Sequence, residues 1–289
     1  MQTPIIAEAA PLTRLIAPRT ALASCVRAIL VRDTTRSAPL PPWQRLNRFP
    51  ATPMCSMVWT IAGEAEAAAP GPSLADVRMP PALFGGPLSY PLVSYNPGPV
   101  HSFVVMFYPA ALNALTGIDM AALVNQFRPL EGLFDADWLA LSGAMLAAPD
   151  DEARVALLEA FLAPRWKLAR KASDHPAGAM SDWVRRLGVQ AASSGLASGV
   201  RNVERRIKAW AGQPMRTLRR MRRAEQSFLD AREAMLKGKA SWTDIAASGG
   251  YADQAHLCRE VREITGLTPT ELARASRDDE SYWVYRIWA

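Results

Sequence analysis

A short helical pattern occurs twice in the C-terminal half of this chain, and it constrains the possible fold more than any other feature. The two copies occupy residues 200–210 and 254–264, and their apolar side chains recur at identical offsets: Val203, Ile207 and Trp210, then Leu257, Val261 and Ile264. At about 100° per residue each set forms one apolar stripe, which leaves the basic residues on the opposite side. The pattern therefore predicts two amphipathic basic helices of one design.

The surroundings of the two helices predict how they are connected. Each copy is followed by a glycine, Gly212 or Gly266, and then within three residues by a proline, which is typical of a helix end. Before the second copy, residues 242–247 predict a short helix and Gly249-Gly250 predicts a turn. A helix, a turn and a second helix form a helix-turn-helix unit. We therefore expect two such units.

The two units resemble the paired motifs of a known family, the AraC/XylS bacterial transcription regulators. The second motif is matched by residues 244–261 (Asp-Ile-Ala-Ala-Ser-Gly-Gly-Tyr-Ala-Asp-Gln-Ala-His-Leu-Cys-Arg-Glu-Val) and by Gly266-Leu-Thr-Pro269. Residues 201–207 (Arg-Asn-Val-Glu-Arg-Arg-Ile), with the later Gly212-Gln-Pro, are similar to the first motif. Leu257 and Val261 depart from the family pattern, which usually has phenylalanine there. The resemblance covers residues 181–275 and implies a sequence-specific DNA-binding transcription regulator.

The outward faces of the two helices supply candidate contacts to DNA bases. Arginine can donate two hydrogen bonds to guanine, and glutamine can pair with adenine. Helix geometry places arginines on the outward face of both copies and Gln254 at the tip of the second, with His256 beside it. The resemblance implies base contact for Arg201, Glu204, Arg205, Gln254, Ala255 and Arg259. For each exposed arginine, contact with a base or with a phosphate remains open.

The connection between the units supplies candidate contacts to phosphates. Residues 216–223 contain five arginines in a predicted helix that continues toward Leu236. Such a helix fixes the separation of the two units, and its guanidinium groups can neutralise phosphates; a solvated basic face is the alternative. The full set of candidate phosphate contacts is Arg206, Lys208, Arg216, Arg219, Arg222, Arg223, Arg262 and Thr268.

Charge is unevenly distributed along the chain. Residues 1–165 carry 11 arginines against 13 acidic residues, a net charge of −2, whereas residues 166–289 carry 22 basic and 14 acidic residues, a net charge of +8. The second half is thus the one suited to duplex DNA. Three cysteines cannot form a disulfide framework, which favours a cytoplasmic protein, and no apolar run is suited to cross a membrane.

The sequence of the N-terminal half predicts strands followed by helices. Residues 53–62, 88–95 and 100–108 predict strands, and Asn96-Pro97-Gly98-Pro99 predicts a turn that joins the last two in a hairpin. Helices are then expected over three segments: 111–127, 137–148, and a segment that begins after Asp150 as N-cap and is interrupted at Pro164.

These elements predict an α+β fold. The layout is similar to the effector-binding domains of AraC-type regulators, in which a small barrel precedes a pair of helices. Leu115-Thr-Gly117 and Pro129-Leu-Glu131 also resemble an uncharacterised N-terminal domain type attached to such regulators. The expected parts are a β-rich, cupin-like barrel domain with helices (1–171), a linker (172–180), an all-α double helix-turn-helix domain (181–275) and an aromatic tail (276–289).

The function of the N-terminal half is less constrained. Four aromatic residues, Trp59, Tyr95, Phe103 and Phe107, are candidates to line a pocket for a small organic effector, although aromatic residues in strands are more often core. The histidines lack metal-ligand spacing to cysteines or carboxylates, so no metal, cofactor or catalytic residue is expected. Besides DNA and an effector, the expected partners are RNA polymerase and a second copy of the chain. The alternative is a DNA-anchored enzyme or protein-interaction module.

The C-terminal tail is rich in aromatic residues. Residues 281–289 (Ser-Tyr-Trp-Val-Tyr-Arg-Ile-Trp-Ala) contain far more apolar surface than a free terminus exposes. Their alternation predicts a short strand or an irregular clamp docked on the protein. Capping of the C-terminal core and coupling of the two halves remain alternatives.

Overall fold

A computed structural model of the chain describes residues 10–67, 78–170, 180–193, 200–238 and 241–287. Strands come first and helices follow, as the sequence predicts for an α+β fold. Most of the predicted linker lies outside the described residues, and the next helix begins at Met180. Among the described helices, none has the length and apolar character needed to cross a membrane.

The strands form two antiparallel sheets. They are β1 (Leu12–Ile16), β2 (Val26–Asp33), β3 (Leu46–Phe49), β4 (Cys55–Ala62), β5 (Glu66–Ala67), β6 (Ala82–Gly85), β7 (Leu92–Tyr95), β8 (His101–Phe107) and β9 (Phe127–Pro129). The large sheet has the order β1-β2-β8-β4-β6-β9, and the small sheet has the order β3-β7-β5. The strand predicted over residues 53–62 is therefore the central strand β4.

The sheets are open, so the predicted closed barrel is wrong. In the described residues β1 and β9 are the edges of the large sheet, and the small sheet pairs separately. The small-sheet strands are only two to four residues long. Prolines flank them, including Pro50 after β3 and Pro91 before β7, and proline cannot donate to a sheet ladder. The short, interrupted strands leave too little ladder to close one continuous sheet.

The predicted hairpin between residues 88–95 and 100–108 is also wrong. β7 pairs with β3 and β5 in the small sheet, whereas β8 pairs with β2 and β4 in the large sheet. The turn residues between the two strands thus carry the chain from one sheet to the other. The turn chemistry at residues 96–99 indicates a reversal but does not specify pairing partners.

The helices that follow the strands are α1 (Pro109–Thr116), α2 (Ala136–Ala147), α3 (Asp151–Ala169), α4 (Met180–Ser193), α5 (Val200–Ala211), α6 (Met215–Leu236), α7 (Trp242–Ser248), α8 (Gln254–Thr265), α9 (Pro269–Asp278) and α10 (Trp283–Ile287). The helix predicted over 111–127 is wrong beyond Thr116, because Gly117 adopts a left-handed φ of 74° and ends α1. The interruption predicted at Pro164 is also wrong. α3 continues through that proline, with Leu162 and Trp166 buried on either side of it.

The two faces of the large sheet have different roles. Residues such as Met57, Phe103 and Val105 point to one face, where they pack with α1, α2 and α3 in the main core. The same core includes Trp183 of α4 and Ile207 of α5, so the first helix-turn-helix unit shares its packing with the N-terminal half. The other face turns toward the small sheet and the later helices.

The C-terminal tail is helical rather than extended. A 3-10 turn at Glu280–Tyr282 leads into α10, so the predicted short strand does not form. The tail packs in a second core, with Ala28 and Leu30 of β2 on one side and the helices from α6 onward on the other. The Trp283 indole N–H donates to Asn47 Oδ1 at 2.8 Å. This hydrogen bond stabilises the helical position of Trp283, and the alternation of residues along the tail gives no sign of it. The predicted side-chain position of Trp288 lies outside the described residues.

Candidate DNA-binding surface and central cavity

The two helices predicted to contact DNA bases are α5 and α8, and we call them the candidate reading helices. The first of them, α5, is preceded by α4. Ile207 is buried, and Val203 and Trp210 are half-buried against the main core. The opposite side presents Arg201, Arg205 and Lys208 to solvent. Because the apolar stripe anchors one side of the helix, these three cations are held on the other.

Glu204 has a structural contact on the same helix. Its Oε1 accepts a hydrogen bond from the backbone N–H of Met215 at 3.2 Å, which satisfies one of the free donors at the start of α6. Gly212, with a φ of 76°, makes the turn between α5 and α6. In this structure the Glu204 carboxylate, a candidate base contact, is therefore turned toward the connecting helix.

The second candidate reading helix is α8, preceded by α7. Asp253 caps its start by accepting from the backbone N–H of His256 at 2.7 Å, and Gly266 ends it with a φ of 84°. The apolar stripe is buried, with Leu257 only 1% exposed. Gln254, Ala255 and Arg259 are exposed on the opposite side. The repeated pattern thus forms two helices, each with one buried and one exposed face.

Two of the α8 candidates are held by neighbours. Thr243 Oγ1 of α7 donates to Gln254 Oε1 at 3.1 Å, which fixes the amide at the helix tip. The His256 ring packs edge-on against Tyr251, with 5.3 Å between ring centroids, and its Nε2 lies 4.0 Å from Glu260 Oε2. His256 is thus half-buried against the protein, whereas Gln254 projects at the surface.

An ion pair that sequence reasoning missed joins α6 to α8. Arg223 donates from Nε to Glu260 Oε1 at 3.0 Å and from Nη2 to Glu260 Oε2 at 2.5 Å. The Arg223 guanidinium also lies over the Tyr251 ring, 4.5 Å from its centroid. Bonding to Glu260 raises the pKa of Arg223, and burial raises the pKa of Tyr251 to about 12. One available signal was Glu260 beside the apolar stripe of α8, where a buried carboxylate requires a cation.

The remaining candidate phosphate contacts differ in their exposure to solvent and in whether they already bind another side chain. On α6, Arg216, Arg219 and Arg222 are exposed and make no ion pair with the part of the chain that the structure describes. Arg206 is half-buried. Arg262 Nη2 lies 3.6 Å from Glu271 Oε2, and Thr268 caps α9 in a reciprocal capping box. The three α6 arginines form the most accessible part of the basic surface.

A central cavity of about 810 Å³ lies between the outer face of the large sheet, the small sheet and the C-terminal helices. Its size falls within the range of about 300–1,000 Å³ that is usual for pockets holding drug-sized ligands. The sheet wall includes Val58, Thr60, Ser102, Val104 and Met106. The helical wall includes Phe228 of α6, Leu257 and Ile264 of α8, Leu272 of α9 and Val284 of α10.

The four aromatic pocket candidates do not line this cavity. Trp59, Phe103 and Phe107 point to the opposite face of the large sheet, where they are at most 1% exposed in the main core. Tyr95 is half-buried in the small sheet and is not part of the cavity wall. The cavity is lined instead by residues that alternate with the aromatic ones along the same strands.

Direct contacts join the cavity region to both helix-turn-helix units. The Gln213 side chain, between α5 and α6, donates to the backbone carbonyl of Leu88 at 3.2 Å. The backbone N–H of Ala51 donates to the carbonyl of Ile264, near the end of α8, at 2.7 Å. Arg27 of β2 pairs with Glu225 of α6 at 2.9 Å. The N-terminal half therefore contacts the α5–α6 connection, the end of α8 and α6 itself.

Helices α4 and α5 contact each other, as do α7 and α8, and the basic helix α6 lies between the two pairs along the chain. Residues 192–275 match a family described as a helix-turn-helix domain, and residues 14–129 match a family described as a domain of unknown function, DUF6597. The two matched regions do not overlap, and they correspond to the helical C-terminal part and the strand-rich N-terminal part of the chain. A comparison with curated proteins found no match.

Comparison with solved structures found similar chains at low sequence identity. ToxT from Vibrio cholerae is 12% identical, over 84% of this chain and 96% of that one, with a TM-score of 0.39. A ToxT structure from the same organism with a bound unsaturated fatty acid has 12% identity over 84% and 94% of the two chains, with a TM-score of 0.37. The AraC-like transcriptional activator CuxR is 10% identical, over 96% and 99% of the chains, with a TM-score of 0.22.

Proposed function

We propose that the protein is a sequence-specific DNA-binding regulator of AraC/XylS type, controlled through its N-terminal half. The observation that carries the proposal is the pair of buried-stripe helices, α5 and α8, with arginines exposed on their outer faces. An α-helix fits the major groove, and two helices on one scaffold enter successive grooves when they lie about 34 Å apart. The match of residues 192–275 to a helix-turn-helix domain likewise supports DNA binding, and a DNA-anchored enzyme or protein-interaction module is the alternative.

Exposure divides the candidate contacts into two roles. Arg201 and Arg205 of α5, with Gln254 and Arg259 of α8, contact bases, since they project from the faces that would enter the groove. Exposed cations of the connecting helix and its surroundings contact phosphates and set the register. Glu204, Ala255 and His256 remain proposed base contacts, and Arg206, Lys208, Arg216, Arg219, Arg222, Arg223, Arg262 and Thr268 remain proposed phosphate contacts.

Selection of binding sites from a random duplex library tests this proposal with the full chain. We expect Arg205→Ala and Arg259→Ala to change the preferred sequence, because a two-bond contact to guanine discriminates by about 1–3 kcal/mol. Arg222→Ala should weaken binding to all sequences alike. Arg128→Ala, an exposed arginine on β9, is the matched control and should change neither property. The proposal fails if the folded protein shows no salt-dependent DNA binding, or if both reading-helix variants select the unchanged sequence.

The central cavity is the proposed effector site. Its walls come from both halves of the chain, so a bound molecule would contact the N-terminal sheet and the C-terminal helices at once. Such a ligand, at free concentration L, stabilises the folded protein by RT ln(1 + L/Kd), so the melting temperature should rise with the logarithm of ligand concentration above Kd. A screen of small organic molecules by thermal melting, followed by DNA binding in their presence, tests the idea. An effector must raise the melting temperature and change DNA affinity.

RNA polymerase and a second copy of the chain remain predicted partners.

A further inference from the structure

Arg32 of β2 is a buried cation in the wall of the central cavity. Its side chain is only 4% exposed. The two hydrogen bonds of the guanidinium both come from Nη1, which donates to Thr13 Oγ1 at 2.9 Å and to Glu280 Oε1 at 2.6 Å. Within the part of the chain that the structure describes, Nε and Nη2 have no hydrogen-bond partner. A guanidinium binds carboxylates and phosphates most strongly through two parallel N–H bonds, and one edge of this fork is unused.

The Arg32 guanidinium has two stabilising neighbours among the described residues, the Glu280 carboxylate and the Trp283 ring, whose centroid lies 5.4 Å from its central carbon. Its acidic partner, Glu280, is shared: Glu280 Oε2 accepts from Arg286 Nη2 at 2.5 Å, and Arg286 also lines the cavity. Asp33, the next residue of β2, is bound instead by the backbone and hydroxyl of Thr35. Two cations therefore share one carboxylate. Burial lowers the pKa of Arg32, which shows the cost of holding this charge away from water, although Glu280 partly offsets it.

The rest of the cavity favours an apolar ligand. Leu30, Val58, Leu83, Val104, Phe228 and Leu257 contribute hydrocarbon from both halves of the chain. Neutral polar groups near Arg32 already bond to one another, since Asn47 Nδ2 donates to Asn96 Oδ1 at 2.7 Å and to Ser94 Oγ at 3.2 Å. Elsewhere in the lining, Ser227 Oγ and Tyr285 OH have no hydrogen-bond partner within the described residues, so a neutral polar group of a ligand could bond there, whereas an anionic group would be attracted to Arg32.

We propose that the central cavity binds an organic anion, an apolar body with one carboxylate or phosphate group, and that Arg32 binds the anionic group. The proposal rests on the effector site proposed above and names its ligand class. Glu280 and Arg286 belong to the tail that follows the helix-turn-helix units, so the same anion contacts a cluster formed by both ends of the chain. Removal of Glu280 should strengthen anion binding, because the carboxylate repels the ligand and competes for Arg32.

A pair of fluorescent probes tests the proposal with the full chain. Anilinonaphthalene sulfonate and phenylnaphthylamine share one apolar body, and only the first is an anion. We expect Arg32→Gln to weaken binding of the anionic probe about tenfold, the value of one charge-assisted contact, and to leave the neutral probe nearly unchanged. Glu280→Gln should strengthen the anionic probe and again leave the neutral one unchanged. Arg128→Gln, at the exposed β9 position, controls for net charge.

If Arg32→Gln fails to fold, Glu280→Gln still tests the proposal, because it should strengthen the anionic probe and leave the neutral probe unchanged. Displacement of the anionic probe by decanoate, decyl phosphate and decanol then identifies the anionic group: the two anions should compete at least tenfold better than the alcohol. Equal affinity for both probes, or an anionic probe indifferent to Glu280→Gln, would overturn the ligand class while leaving the effector site in place. If neither probe binds, the effector site itself is refuted.

Discussion

The ion pair between Arg223 and Glu260 predicts that two neighbouring arginines of α6 behave differently when each is replaced by alanine. Arg222 is exposed and makes no ion pair with the described residues, whereas Arg223 makes two hydrogen bonds to a carboxylate whose side chain is only 5% exposed. The sequence alone predicts a phosphate contact for both arginines. From the structure we expect Arg222→Ala to lower DNA affinity and Arg223→Ala to lower stability.

The expected magnitudes follow from which partner is left behind. Arg223→Ala strands the Glu260 carboxylate in the protein, and loss of one partner of a buried pair costs roughly 3–5 kcal/mol. The Arg223 side chain is 30% exposed, so we expect the lower end, about 3 kcal/mol. Glu260→Gln instead frees an arginine that can turn to solvent, at a cost of about 1 kcal/mol. The double variant Arg223→Ala/Glu260→Gln should therefore be more stable than Arg223→Ala alone.

Thermal unfolding and salt-dependent DNA binding measure the two effects separately. A loss of about 3 kcal/mol corresponds to a decrease of roughly 6–12 °C in melting temperature for a domain of 150–250 residues. Arg222→Ala should melt like the parent and lower the slope of log affinity against log salt by about one. The reasoning is refuted if Arg223→Ala melts like the parent and matches Arg222→Ala in its salt slope, because Arg223 would then be a phosphate contact without a structural role.

Three further predictions concern other parts of the chain. Trp59→Ala should cost about 3–5 kcal/mol, measured by denaturant unfolding, because the indole is 1% exposed in the main core; a variant of normal stability would place Trp59 outside that core. Burial raises the pKa of the Cys25 and Cys55 thiols, so alkylation followed by mass spectrometry should modify the half-buried Cys258 first, and equal rates would contradict the core placement. Deletion of residues 281–289 should lower the melting temperature, and an unchanged value would show that the buried tail contributes nothing.

Helices α5 and α8 could be predicted because their apolar periodicity and their terminal glycines agree. The apolar stripe and the terminal Gly266 of α8 are local features, and both have the predicted role in the structure. Their agreement fixes type and bounds together. The bond from Arg223 to Glu260 could not be predicted in the same way. It depends on how α6 crosses α8, and two residues 37 positions apart carry no local signal of contact.

The position of the cavity could not be predicted from the sequence for a related reason, because it too depends on long-range packing. Alternation along β4 and β8 divides the residues into two faces, one bearing Trp59 and Phe103 and the other bearing Val58 and Val104. Both faces are apolar, so alternation does not specify which one meets α1, α2 and α3 and which one meets the C-terminal helices. Aromatic residues indicate burial, and here burial means the main core. The smaller side chains line the space that remains.

One small bridge in the cavity wall connects the N-terminal half to both helix-turn-helix units. Thr52 and Leu88 exchange backbone hydrogen bonds of 3.1 and 2.8 Å. The Leu88 carbonyl also accepts from Gln213, beside α5, and Ala51, which precedes Thr52, donates to Ile264 of α8. A movement of this bridge would therefore shift the attachment points of α5 and α8 together. Because Ala51, Thr52 and Leu88 all line the central cavity, a ligand bound there would lie beside the attachment points of both α5 and α8.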